Sequence, residues 1–213
     1  MEVSDTKPRW ERRKDARPQE LLAAALELFV DRGFAATRLE DVARTAGVSK
    51  GTLYLYFENK QELFKAVVRE TIVQTIGQAE SDAAAAENMP SDQLLRQMLR
   101  RWWIQVGATK AAGLTKLMMA ESGNFPELAQ FYNEEVIERS SALLTRILER
   151  GVARGEFRPL DPVMMTNVLI APVLTLMMWK HSFFSCETHD SIDADAFMDA
   201  FLGLVQQGLA PQK

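Results

Sequence analysis

The sequence predicts an all-α fold: a three-helix N-terminal domain containing a helix-turn-helix, then a larger helical domain. Three observations carry this expectation. No segment alternates apolar and polar residues over strand length between hairpin turns. Apolar residues instead recur at helical offsets from residue 18 nearly to the end. Capping residues and glycines divide that pattern into helices of ordinary length.

In order along the chain, Pro18 suits a first helical position, Leu21, Leu22, Ala25, Leu28 and Phe29 form a stripe, and Gly33 suits a C-terminal cap, which predicts a helix over about 18–32. Thr37 and Glu40 read as a capping box that opens a second helix carrying Leu39, Val42, Ala43 and Ala46 up to Gly47. Ser49 is a good N-cap for a short third helix through about Phe57. Asn59 and Glu62 repeat the capping pattern and open a longer helix, with Leu63, Val67, Ile72 and Ile76, that reaches Ala83 to Ala86. Pro90 and Ser91 precede a helix with Leu95, Met98, Leu99, Trp102 and Val106 on one side, and a shorter helix lies near 110–121. The next is predicted over about 126–153 with a break at Gly155. Asp161 caps a stretch from Pro162 to Phe184 that is apolar nearly all round, with Pro172 expected to kink it, and a last helix over about 192–208 carries Phe197, Phe201, Leu204 and Val205.

Composition narrows the class. The chain has 213 residues, 47% hydrophobic and 25% charged, which fits an ordinary globular protein and excludes collagen-like or disordered chains. One cysteine, Cys186, excludes an internal disulfide, and with only His181 and His189 besides it there is little material for structural zinc. No cofactor is called for. No uninterrupted apolar run follows the charged start, so a secretory signal is not expected and a cytoplasmic setting is. Residues 163–179 are apolar enough to raise the question of a membrane span, but the run is short and includes Thr166, Asn167, Pro172 and Thr175, so no membrane partner is expected. The net charge of −4 conceals a contrast: residues 1–60 carry 11 cations against 10 acids, residues 61–213 carry 14 against 19. Lys7, Arg9, Arg12, Arg13, Lys14 and Arg17 face only Glu11 and Asp15, which marks residues 1–17 as a basic arm able either to track phosphates or to be a solvated tail.

Residues 39–58 read as a helix-turn-helix. Ala43 and Gly47, four positions apart, let two helices cross closely, and Val42, Ala46, Val48 and Leu53 plug the space between them. The second helix is left with an outer face of Lys50, Thr52, Tyr54, Leu55 and Tyr56, of a girth that a major groove admits. Helix starts at Thr37 and Ser49 present free amides suited to phosphates, aided by Lys50 and Lys60. Lys50 and Thr52 can hydrogen-bond base edges, Leu55 can touch a thymine methyl, and Arg38 stands at the start of the first of the two helices. With no Arg, Asn or Gln at 50–57, specificity leans on groove shape.

The run from Thr37 to Lys60, T-R-L-E-D-V-A-R-T-A-G-V-S-K-G-T-L-Y-L-Y-F-E-N-K, resembles the DNA-binding signature of the TetR family of transcriptional repressors, and the resemblance extends over about residues 18–66. It implies a three-helix DNA-binding domain, a fourth helix leading into a larger helical domain, homodimerisation through the last two helices and a small-molecule pocket in the larger domain. It also implies DNA contacts at Thr37, Ser49, Lys50, Gly51, Tyr54, Tyr56 and Lys60. Leu55 stands where many members carry tyrosine and Tyr56 where many carry histidine. The domain expectation is then a basic arm over 1–17, a DNA-binding domain over 18–62 and a ligand-binding and dimerisation domain over 63–213.

For the larger domain, soft and aromatic residues at helical spacing suggest a site for an apolar effector: Met98, Trp102, Trp103, Met118, Phe131, Met177 and Trp179, joined by Met119, Phe125 and Met178. The same residues can serve as plain core. Trp102 and Trp103 are adjacent, so they cannot both face inward at one angle. The expected partners are a double-stranded, near-palindromic DNA operator, a small-molecule effector and a second copy of the chain. An enzyme is not expected: P-loop, G-x-G-x-x-G, G-x-S-x-G and H-E-x-x-H patterns are absent, and Cys186 with His181 or His189 is a chance grouping in a probable loop. The rival is an all-helical ligand-binding or interaction protein whose helix-turn-helix does not bind DNA.

Overall fold

The computed structural model describes the backbone of residues 9–182 and 192–211 and the side chains within that span from residue 18 onward. The side chains of the expected basic arm, with Cys186 and His189, lie outside the described residues. The described elements are helical, and the chain divides into two compact units, Met1–Glu70 and Thr71–Lys213.

The first unit holds α1 (Arg9–Ala36), α2 (Leu39–Thr45), α3 (Lys50–Tyr54) and α4 (Lys60–Val68). α1 starts well upstream of Pro18, which lies inside the helix and not at its first position as expected. Its regular path breaks at Gly33 (φ 81°, ψ 169°), a conformation that only glycine adopts cheaply, and the break falls where the sequence puts the helix end. The core is an aromatic triad. Phe29 stacks on Phe34 with centroids 5.7 Å apart, and both meet Phe64 of α4 edge-on at 5.3 and 5.5 Å. All three rings are buried, together with Leu21, Leu53, Leu63 and Val67. Each such side chain stabilises the unit by about 1.5–3 kcal/mol.

The predicted capping box at Thr37 does not form. Thr37 is buried, and its hydroxyl donates to the carbonyls of Gly33 (2.7 Å) and Leu28 (3.0 Å), tying the chain back onto α1. Arg38 takes the N-cap of α2 without a side-chain bond. The hydroxyl of Thr37 is therefore spent on α1 carbonyls left open by the Gly33 break, which outcompete a cap on a seven-residue helix. The two other caps form: the Ser49 hydroxyl accepts from Thr52 N (3.1 Å) and Asn59 Oδ1 from Glu62 N (2.9 Å). α3 is shorter than predicted, ending at Tyr54, and Gly47 makes the preceding turn with φ 67°.

A π-helical turn, Arg69–Val73, spans the division between the units. The second unit contains α5 (Gln74–Ala85), α6 (Ser91–Trp102), a π turn Trp103–Gly107, α7 (Ala112–Glu121), α8 (Pro126–Tyr132), a π turn Asn133–Glu138, α9 (Arg139–Ala153), α10 (Pro162–Ser182) and α11 (Ala194–Leu209). α9 packs between α6 and α10, and α11 joins them, burying Leu95, Leu148, Leu169, Leu176 and Leu202. Ser91 opens α6 but does not cap it through its own side chain; Glu156 accepts from Ser91 N at 2.7 Å. The Arg150 fork donates to Ser91 Oγ and to the carbonyls of Ala86 and Met89, closing the α5–α6 turn onto α9. Gly155, with φ 68°, ends the α9 region as expected, and Gly151 lets Phe157 lie against the helix, where a Cβ would meet the ring at 2.1 Å.

α10 departs from two expectations. It continues through Pro172 and runs 21 residues to Ser182, so it is long and apolar enough to match a membrane span. It is nonetheless packed on α9 and α7, and Thr166 on its inner side bonds Thr145 of α9 at 2.9 Å. Nor is it covered on every face within one chain: Val163 and Met164 are each 62% exposed and Val168 54%. Leu204, on the apolar stripe of α11, is likewise exposed.

Two carboxylates bridge distant parts of this unit. Glu80 takes two bonds from Arg139 (3.2 and 2.7 Å), which chiefly hold it below the ordinary glutamate value, and Glu156 is lowered first by the Ser91 side chain and then by Ser91 N, which donates to it at 2.7 Å. A carboxylate so lowered contributes stability that is complete above its unfolded pKa and is lost as pH falls through the folded one. Urea denaturation should therefore show stability declining below about pH 4.5. A Glu80→Gln, Glu156→Gln double variant should start less stable at neutral pH and lose less on acidification; parallel curves for the two proteins would contradict this origin of acid sensitivity.

Candidate nucleic-acid interface and ligand cavity

The first unit presents one continuous polar and aromatic face. Ser49 begins it as the N-cap of α3, its hydroxyl shared with Thr52 Oγ1 at 2.8 Å. Lys50, Gly51 and Tyr54 are exposed on the outer side, Thr52 is half-buried, and Leu55 and Tyr56 follow the helix end. Leu55 is 82% and Tyr54 45% exposed, so neither pads the core, while Leu53 between them is fully buried. Arg38 is exposed at the N-cap of α2. The plug is narrower than expected: Val42, Ala43 and Leu53 are buried, whereas Ala46 and Val48 are half-buried.

Charge on this face is internally paired. Lys50 forms an ion pair with Glu40 across α2 and α3, and its ammonium lies 5.8 Å from the Tyr54 ring centroid. The hydrogen bond between them, before the direct charge attraction, lowers the Glu40 pKa and raises that of Lys50. Glu40 entered the sequence reading only as a capping residue, and its place opposite Lys50, ten positions on, has no local sequence signal. Asp41 is shared between Arg32 (3.4 Å) and Arg44.

Two residues expected on this face are placed differently. Thr37 is 1% exposed and bonded to α1 as above. Lys60 directs its ammonium to the carbonyls of Phe34 (2.7 Å), Ala35 (3.0 Å) and Thr37 (3.0 Å) and lies 4.5 Å from the Phe34 centroid. A cation at the end of α1 meets the negative end of the helix dipole and its unfilled carbonyls.

The second unit encloses a cavity of about 430 Å³ bounded by α5, α6, α7, α8, α9 and α10. Of the residues expected to bind a ligand, Met98, Trp102, Met118 and Met177 line it, and so does Met119. Trp103, Phe131 and Trp179 are not among its lining residues. Trp103 is buried in the packed core, so close to Gly107 that a Cβ there would lie 2.3 Å from its ring, and Phe131 is buried on the α8 side. The adjacent tryptophans thus divide: Trp102 faces the cavity and Trp103 the core. Sequence reasoning did not single out the lining hydroxyls of Thr115 and Tyr132, which bond each other at 2.8 Å; seventeen positions apart on two helices, they leave no periodic signal. Arg101 also lines it and is held by Asp82 and Gln105. Among the described residues no cluster of three or more His, Cys, Asp or Glu is placed to hold a metal ion.

Comparison with known proteins matches these two units separately. Residues 21–67 match the family model described as bacterial regulatory proteins, tetR family, and residues 91–200 match the tetracyclin repressor-like C-terminal domain. The chain is 30% identical to the HTH-type transcriptional regulator EthR of Mycolicibacterium smegmatis over 73% of its length and 71% of the relative's. It is 28% identical to the fatty acid metabolism regulator protein of Bacillus subtilis over 68% of its length and 74% of that protein's. In three dimensions it is similar to the transcriptional regulator FadR of Bacillus subtilis, crystallised in complex with stearoyl-CoA, with a TM-score of 0.73, 24% identity and coverage of 90% and 98% of the two chains.

The position of Lys60 has a consequence for stability. Lys60→Met keeps the stem over Phe34 but leaves two α1 carbonyls and that of Thr37 without their charged donor, a loss of about 1–3 kcal/mol. Hydrogen exchange should show faster exchange in α1 and α4 and unchanged protection in α9 and α10. Unaltered protection in α1 would remove the positioning role assigned to this lysine.

Proposed function

The chain belongs to the TetR family of bacterial regulatory proteins, a family of transcriptional regulators and not of enzymes, and from that premise we propose that it is a cytoplasmic, homodimeric repressor released from a near-palindromic operator by a largely apolar effector. The observation that carries the DNA-binding half is the outward face of α3, where Lys50, Tyr54 and Leu55 stand exposed beside a well-formed Ser49 cap. Such a helix fits a major groove, with backbone amides and Ser49 on phosphates, Lys50, Thr52 and Leu55 toward base edges, and Gly51, Tyr54, Tyr56 and Arg38 alongside. Thr37 and Lys60 serve it from behind, by fixing the turn between α1 and α2.

A single five-residue helix reads too little sequence to specify a site. Two copies with their α3 helices about 34 Å apart read successive major grooves. The exposed apolar residues Val163, Met164 and Val168 of α10 and Leu204 of α11 support pairing through these helices, since an uncovered apolar row of this kind marks an interface. The same covering would meet the apolar surplus of α10 without a membrane. The cavity supports the regulatory half: its volume lies in the range of small-molecule sites, and methionines adapt to irregular ligands. Kinship with a fatty acid metabolism regulator fits an effector with a long hydrocarbon body. To release DNA the effector must favour the non-binding arrangement of the paired heads by about 5.5 kcal/mol for a near-complete switch.

The rival, an interaction protein with an idle helix-turn-helix, is separated by DNA binding itself. On a duplex carrying an inverted repeat from the flanks of its own gene, Lys50→Ala should weaken binding and reduce the salt slope by about one unit. Glu40→Gln should tighten binding several-fold, and its effect should shrink in the Lys50→Ala background because both act through one ion pair. Salt-independent association, or an unchanged affinity for Lys50→Ala, favours the rival. Val168→Glu should convert a sedimenting dimer to monomer and abolish tight operator binding while leaving the helical content intact; a dimer that persists would place the interface elsewhere.

A further inference from the structure

Resting on the reading of the cavity as an effector site, we infer that the effector is an apolar molecule bearing one neutral hydrogen-bond acceptor, a ketone, ester or ether oxygen, received by the Thr115–Tyr132 hydroxyl pair. Two hydroxyls bring two protons to one another, and their mutual bond at 2.8 Å uses only one. Among the described residues neither oxygen has a second protein partner. The pair sits in the cavity wall with Thr115 7% and Tyr132 5% exposed, so the spare proton is a donor in an apolar setting. A buried donor without an acceptor costs about 1–3 kcal/mol, which a ligand oxygen placed there returns as binding preference.

The surroundings specify a neutral acceptor. Burial pushes the Tyr132 phenol up to about 12, so it stays a donor throughout the physiological range. The cation in the lining, Arg101, is already paired with Asp82, and an anionic head at the hydroxyl pair would be buried without a countercharge. Of the other polar lining groups, Ser140 donates to Val136 O, Asn167 donates to Val163 O, Ser122 is exposed, and Thr75 and Ser141 are only half-buried where the Thr115–Tyr132 pair is buried. The exposed Met119 and Ile137, also in the lining, mark the open side, so the ligand's hydrocarbon body extends from the hydroxyl pair toward them.

The test uses three ten-carbon probes, an alkane, its methyl ketone and its carboxylate, with binding to the full-length protein followed by quenching of Trp102 emission against a Trp102→Phe control. The ketone should bind about tenfold more tightly than the alkane, a ratio equivalent to 1.4 kcal/mol. The carboxylate should bind more weakly than the ketone. Tyr132→Phe removes one hydroxyl and leaves the Thr115 proton without its partner oxygen; Thr115→Val removes the other. Each single variant keeps one free proton and part of the preference, whereas the Tyr132→Phe, Thr115→Val double variant removes both and should bring ketone and alkane to within about threefold while alkane affinity stays within a factor of two. Equal affinity for ketone and alkane in the parent, an undiminished preference in the double variant, or a carboxylate that binds best would overturn the inference while leaving the effector site standing. Failure of alkane and ketone alike to bind would overturn both.

Discussion

The DNA-facing unit depends on how one lysine closes the far end of α1. A helix end leaves carbonyls that water or a side chain must satisfy, and here the Gly33 break exposes them just where the chain must turn toward α2. Lys60, at the first position of α4, supplies a charged donor to two of them, Phe34 O and Ala35 O, and to Thr37 O just beyond, while its ammonium lies over Phe34. The contact joins the start of α4 to the end of α1 on the outside, as Phe64 joins them to Phe29 and Phe34 on the inside. Between these two fastenings α2 and α3 have little choice of direction, because Thr37 is drawn back onto α1 and Leu53 is drawn into the same core. A five-residue helix has almost no stability of its own, so its orientation must come from such neighbours.

The second unit solves a different problem, that of keeping an interior space without collapse. Its helices are tied by charged clasps: Arg150 on the α5–α6 turn, Glu156 on the start of α6 and Arg139 on Glu80. These contacts tie α5, α6 and α9 together without filling the space among them. Phe157 against Gly151 and Trp103 against Gly107 pack so closely that no side chain could be added at either glycine without displacing a ring. The rigid places are therefore the ones built around glycine, and the adaptable ones are the methionines Met98, Met118 and Met177 around the cavity.

Local signals were legible in the sequence and through-space ones were not. The caps at Ser49, Asn59, Asp161 and Asp193 announce helix starts by their residue type, and three of these four belong to the sequence reading; the helix-turn-helix follows from small residues at fixed spacing. Thr37 shows the limit, since a capping pattern is only one use of a threonine hydroxyl and the competing carbonyls come from the preceding helix. The π turns at Arg69–Val73, Trp103–Gly107 and Asn133–Glu138 shift the helical phase by a fraction of a turn. A stripe read at a constant 3.6 residues through such a shift misassigns faces on one side of it, so the sequence points to Phe131, just before one of these turns, where its neighbour Tyr132 lines the cavity. Lys50–Glu40 and Thr115–Tyr132 are pairings between helices and have no periodic trace at all.

That Lys50 is already paired in the free protein bears on how a chain with a net charge of −4 can hold DNA. On the proposed reading, binding exchanges one partner of Lys50, Glu40, for another, a phosphate or a base edge, so the net gain from this lysine is the difference between two contacts and not the whole of either. Exposed ion pairs are worth little, so the exchange is nearly balanced on non-specific duplex. It becomes favourable where shape lets Tyr54 and Leu55 meet the groove at the same moment, because their contacts have no counterpart in the unbound state. On that reading a carboxylate beside the lysine weakens attraction to every sequence by the same amount and leaves the ratio of specific to non-specific binding to the shape-dependent part, while shortening the time spent on non-specific duplex.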